Sequence, residues 1–124
     1  MKISFSTLAC PDFSWTDIYS MAADLGFNGI EVRGLGNEIY SVKAKPFTDE
    51  NIEKTIAKLN RLKLEIPCLS SGCCLKFFDK HDEIVEEITQ YAVLANKLGT
   101  SYIRILADLD PAPADEIDDD KIAE

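Results

Sequence analysis

The chain has 124 residues, 46% of them hydrophobic, and a formal net charge of −9. That length suits one compact domain. No apolar stretch approaches the ~18 residues of a membrane span, and the acidic balance supplies no cationic surface for nucleic acid. The acidity is uneven: Asp108 to Glu124 holds eight acidic residues and one lysine, leaving 14 acidic against 12 basic residues elsewhere. Met1 to Leu8 alternates in polarity and reads as a strand, not a signal peptide, so a cytoplasmic protein is expected. The four cysteines, Cys10, Cys68, Cys73 and Cys74, form no Cys-x-x-Cys pair and are expected to be reduced. With His81 as the only histidine, a zinc site is short of ligands.

Residues 2–8 read as the first strand, with Ile3 and Phe5 on one face and Ser4 and Ser6 on the other. After the loop Ala9–Phe13, Ser14 and Asp17 form a capping-box pattern at the start of a helix. Ile18, Met21, Ala22 and Leu25 give its apolar stripe, and Gly26 ends it. The second strand is expected over Gly29–Arg33, followed by a long loop, Gly34–Phe47. Thr48 can cap a second helix whose stripe is Ile52, Ile56, Leu59 and Leu62 or Lys63. A third strand is expected over about Glu65–Ser70, then a loop, Ser71–Cys74. Asp79 or Asp82 begins a third helix with Ile84, Ile88, Ala92, Ala95 and Leu98 at helical spacing. Gly99 ends it, and Tyr102–Leu106 is the fourth strand. Asp115–Glu124 reads as the first turns of a fourth helix.

Two segments repeat in register. Leu25-Gly26-Phe27-Asn28-Gly29-Ile30-Glu31-Val32 aligns with Leu98-Gly99-Thr100-Ser101-Tyr102-Ile103-Arg104-Ile105, so Glu31 falls where Arg104 falls. Ile30 and Val32, like Ile103 and Ile105, then share one strand face, and the charges take the other. Central strands of an open parallel sheet are covered on both faces and read as continuous apolar runs. Ser4, Ser6, Glu31, Arg33 and Arg104 break that pattern, and an unpaired charge buried between helix layers costs several kcal/mol, roughly. The loop after the first strand also lacks the glycines of a phosphate-binding turn. The expected fold is therefore α/β, a (βα)3β half of an eight-stranded parallel barrel, with residues 1–124 as a single domain. Half a barrel leaves strand edges open. Either the chain is the N-terminal half of a longer barrel, as the halt in a helix start suggests, or copies self-associate through those edges.

Cys10-Pro11-Asp12-Phe13-Ser14, the run Ala23–Arg33, and Leu98-Gly99 with Tyr102–Ile105 together resemble the sugar phosphate isomerase/epimerase family, the xylose-isomerase-like TIM barrels. The resemblance covers essentially the whole chain but only the first half of that barrel. It implies an isomerase or epimerase acting on a sugar or sugar phosphate, with proton transfer next to a carbonyl. A dehydratase or lyase on the same scaffold is an alternative, as is a non-catalytic half-barrel that binds a sugar or dimerises. It also implies a divalent metal, manganese or similar, whose ligands lie in the second half of the barrel, so this chain is expected to bind none.

Barrel enzymes place their chemistry at the C-terminal ends of the strands. That location makes Glu31, Arg33, Ser70 and Arg104 the expected substrate-binding residues, with Trp15 on the first helix turn as a further candidate. No catalytic residue is assigned. Glu31 and Arg104 can equally pair with each other as a structural ion pair, and Trp15 can be a packing residue. Gly34-Leu35-Gly36-Asn37 reads as a turn, Cys73-Cys74 as a chance vicinal pair, and His81 as a surface residue.

Overall fold

The computed structural model describes residues 1–107. Asp108 and the expected fourth helix lie outside the described residues. Strands β1 (Ser4–Ser6), β2 (Gly29–Glu31), β3 (Cys68–Cys74) and β4 (Tyr102–Leu106) alternate with helices α1 (Trp15–Asp24), α2 (Ile52–Arg61) and α3 (His81–Leu98). β1 pairs with β2 and β3 with β4, both in parallel. Parallel bridges Gly29–Glu65 and Val32–Leu69 join the two pairs. The join is held by Val32 N–H on Cys68 O at 3.1 Å and Ser70 N–H on Val32 O at 2.8 Å. The spatial order is thus the chain order. A doubly wound sheet reverses direction at a switch point, whereas stepping always to the next strand is barrel winding. The fold is the expected α/β arrangement, a (βα)3β part of a parallel barrel.

One face of the strands is sealed by the helices. Ile30, Val32 and Leu69 are fully buried, and Phe5 and Ile103 pack on the same core beneath Ile18, Ala22, Leu59, Leu94 and Ala95. Ile105, expected to share that face, remains 40% exposed on the outer strand. The helical stripes differ in detail from the sequence reading. Leu25 is 68% exposed, because the chain has already turned out of α1. In α3 the buried residues are Tyr91, Leu94 and Ala95, while Ala92 faces outward. A tyrosine therefore takes the central core position.

Element bounds shift for local reasons. Thr7–Ala9 leaves β1 as a 3-10 turn, with the Ser6 hydroxyl accepting Leu8 N–H. Pro67 has no N–H to donate, and β3 begins after it rather than at Glu65. Thr48 does not cap α2; its carbonyl accepts the N–H groups of Asn51 and Ile52, and its hydroxyl donates to Lys45 O at 3.0 Å. Ser71–Cys74, expected as a loop, is a bulged continuation of β3: four steps from Ser70 to Cys74 match two from Arg104 to Leu106. The Ser71 hydroxyl donates to Arg104 O at 2.8 Å within this irregular stretch. The Ser14–Asp17 capping box forms as expected.

All three helices end in the same way. Just past each helix the chain turns left-handed, at Gly26 (φ 75°), Lys63 (φ 55°) and Gly99 (φ 69°). The next N–H reaches back into the last turn: Phe27 to Ala22 O at 2.9 Å, Leu64 to Leu59 O at 2.9 Å, Thr100 to Ala95 O at 2.8 Å. These are Schellman turns. The repeat seen twice in the sequence is therefore threefold, and its middle copy is hidden because a lysine stands where glycine is favoured. Lys63→Gly is expected to stabilise the protein by about 0.5–1 kcal/mol, the left-handed strain of lysine less the extra chain entropy of glycine. Gly29 has the opposite constraint: a Cβ there would lie 2.7 Å from Ser4 Oγ and 2.9 Å from Glu65 O. Gly29→Ala is expected to destabilise by about 1–3 kcal/mol. Urea denaturation of both variants checks the pair.

Candidate functional site

The face opposite the helices carries the polar row. Strand register sets Ser6 beside Glu31 and Ser70 beside Arg104, and alternation puts Arg33 and Cys68 on the same side. The Ser70 hydroxyl, 1% exposed, donates to Glu31 Oε1. Burial pushes the Glu31 carboxyl up, but the Ser6 and Ser70 hydroxyls and the positive fields of Arg104 and Arg33 outweigh it, so its pKa lies below the ordinary value. The neighbouring Cys68 thiol is pushed up by burial and then by the charge of Glu31. Among the described residues the lysine ion pairs are Lys2–Glu65 and Lys97–Asp49, and His81 Nδ1 lies 3.5 Å from Asp82 Oδ1. Glu31 and Arg104 are thus not a salt bridge: serine holds the carboxylate, and arginine acts through its field.

Four of the five expected substrate-binding residues, Glu31, Arg33, Ser70 and Arg104, come together on this row. Arg104 is exposed and Arg33 half-buried. The fifth, Trp15, is placed elsewhere. Its ring stands 5.8 Å from Tyr19 and 5.6 Å from Phe47, edge-on to both. On the first turn of α1 it packs against that helix and the Lys45–Phe47 turn, away from the polar row. Leu35 and Glu38 bond to each other around Gly36, so that segment is a turn. His81 is exposed at the start of α3. Cys73 and Cys74 are buried as free thiols, and burial pushes the Cys73 thiol up, which disfavours its thiolate.

Sequence reading missed the polar chain that fixes the strand exits. Arg33 N–H donates to Thr7 Oγ1 at 2.9 Å, and that hydroxyl donates to Gly34 O at 2.9 Å. Gly34 N–H donates to Ser41 Oγ at 3.0 Å, and Ser41 N–H to Tyr91 OH at 3.2 Å. Thr7, Ser41 and Tyr91 are all buried. The network ties the ends of β1 and β2 to α3 and sets the backbone from which Arg33 projects. Its partners lie up to 50 residues apart, and the faint signal for it was a tyrosine at a core position of α3.

Among the described residues no three His, Cys, Asp or Glu side chains gather as a metal site. Glu31 is the single carboxylate of the polar row, so these strands do not fit the metal expected of the whole barrel. Also among the described residues, no helix is long and apolar enough to cross a membrane.

Parallel strands in chain order with a polar inner row define part of a barrel of the enzyme-bearing kind. No family model matches the chain. It is 32% identical over 112 residues to a 3-dehydroshikimate dehydratase of Bacillus anthracis, spanning 86% of this chain and 38% of that protein. It is also similar to the crystal structure of the probable 3-DHS dehydratase AsbF, involved in petrobactin synthesis in Bacillus anthracis. That match has a TM-score of 0.67 and 31% identity over 85% of this chain and 38% of that one. AsbF is a xylose-isomerase-like TIM barrel. The chain spans well under half the length of the relative it matches.

Ser70→Ala is expected to raise the Glu31 pKa toward its ordinary value, read by carboxyl-carbon NMR titration. The sign for stability follows. The native pKa is depressed, so the contribution of Glu31 is complete above the ordinary glutamate value of 4.5 and is lost as pH falls through the native value. In Ser70→Ala that acid-side loss shifts to higher pH.

Proposed function

We propose that this chain forms the substrate-binding wall of a dehydratase acting on a cyclic, hydroxylated carboxylate of the 3-dehydroshikimate type. The polar row carries the reading: two arginines, one carboxylate held ionised and one buried serine on a single strand face. An arginine offers a bidentate grip on a substrate carboxylate, and Arg104, exposed beside Ser70, is the better placed. Glu31 accepts from substrate hydroxyls. Similarity to the dehydratase favours this over the isomerase or epimerase that the sequence resemblance implied. The same row would hold a sugar phosphate by the same arginine chemistry, which keeps that second reading open to test. A divalent metal, if the reaction uses one, would be held outside these strands. β1 and β4 are the outer strands of the four, and further strands, from a longer chain or a second copy, would pair there.

Titration calorimetry with 3-dehydroshikimate and with a pentose phosphate tests the reading. The hydroxy-carboxylate is expected to bind more tightly, and Arg104→Gln to weaken it by about tenfold or more through loss of a charged hydrogen bond. Tighter binding of the sugar phosphate would return the isomerase reading. Binding unaffected by Arg104→Gln would remove the proposed wall.

A further inference from the structure

A hollow of about 650 Å3 opens between the start of α1, the Lys45–Phe47 turn and α2, and no strand residue lines it. This volume falls in the range of small-molecule sites. Phe13, Trp15 and Tyr19 supply an aromatic wall, braced by the edge-on stacking of Trp15 on Tyr19 and Phe47. Around it stand Lys45, Lys54 and Lys58. Lys54 and Lys58 lie one helical turn apart on α2 and so share a face, and the Lys58 ammonium sits 5.5 Å from the centre of the Tyr19 ring.

Like Lys43 and Lys63, these lysines have no carboxylate partner among the described residues, but they are gathered around one aromatic hollow. Lys2 and Lys97 are instead paired with Glu65 and Asp49. Glu50, just before α2, and Glu53, in its first turn, do not line the hollow. The one carboxylate that does, Glu38, accepts the Tyr40 N–H at 2.9 Å. On a chain of net charge −9, this is a local reversal of sign beside an aromatic surface. A neutral apolar ligand would leave the cations unanswered, and a small inorganic anion would leave the rings bare. We infer that the hollow binds a planar aromatic carboxylate, its ring against Trp15 and Tyr19 and its carboxylate on Lys54 and Lys58.

Trp15 is the only tryptophan, so its fluorescence reports on this hollow alone. Benzoate is the probe, with benzyl alcohol and acetate as matched controls. Benzoate is expected to change the Trp15 emission saturably, and the two controls to bind far more weakly. The double variant Lys54→Gln, Lys58→Gln is expected to weaken benzoate by roughly fivefold or more, since both charged contacts go, with the melting temperature unchanged. Raising sodium chloride to about 0.5 M is expected to weaken it as well, by screening exposed charges. Equal binding of benzyl alcohol, undiminished affinity in the double variant, or benzoate shifting the NMR signals of Arg104 but not the Trp15 indole would each overturn the assignment.

Discussion

The left-handed turn that closes each helix sets the phase of everything after it. From Gly26 to Glu31, from Lys63 to Cys68 and from Gly99 to Arg104 the interval is five residues. Each turn fixes the direction in which the chain leaves its helix, and side-chain alternation then fixes which residues of the strand face inward. An error of one residue would carry Ile30 and Val32 to the polar side and Glu31 into the helix layer. The turn is thus the local device by which a repeated unit keeps one face apolar and the other available for chemistry. Glycine favours it twice, and at Lys63 the surrounding fold imposes it on a residue that gains nothing locally from the conformation.

Inward-facing polarity has to be reconciled with partial burial. Glu31 loses solvent on β2, which alone would favour its neutral form. Neighbouring strands compensate through their own inward residues: Ser6 from β1, Ser70 from β3 and Arg104 from β4. The charge state of one side chain therefore depends on the strands lying in chain order, since a doubly wound arrangement would separate those partners. The bulge after Ser70 belongs to the same arrangement. It lets β3 regain its pairing with Leu106 while Ser71, rather than another inward residue, bonds to the Arg104 carbonyl.

The fold class was legible because it rests on short-range patterns. The Ser14–Asp17 cap, the stops at Gly26 and Gly99, and the alternation about Glu31 and Arg104 each concern residues within a few positions of one another. Four of the five candidate site residues followed from that alternation and the general position of barrel sites. What escaped was set by distant contacts. Ser71–Cys74 has a loop-like composition, and only its ladder to Leu106 makes it strand. Trp15 sits at a helix start that could face the strand ends or the neighbouring helix, and the packing of Phe47 decides the matter. Lys63 carries no glycine signal at all. The chain from Thr7 to Tyr91 joins residues that no local window contains.

The electrostatics also constrain the part Glu31 can take in the proposed dehydratase. A carboxylate whose pKa is depressed holds its proton weakly, so at neutral pH it is a poor acid, and a weak base beside one poised near the working pH. Raising its basicity would require removing the serine hydroxyls and the arginine fields, which are the groups that accompany it into the row. Its suited task is therefore to accept hydrogen bonds from substrate hydroxyls and to orient them, with Arg104 taking the opposite charge.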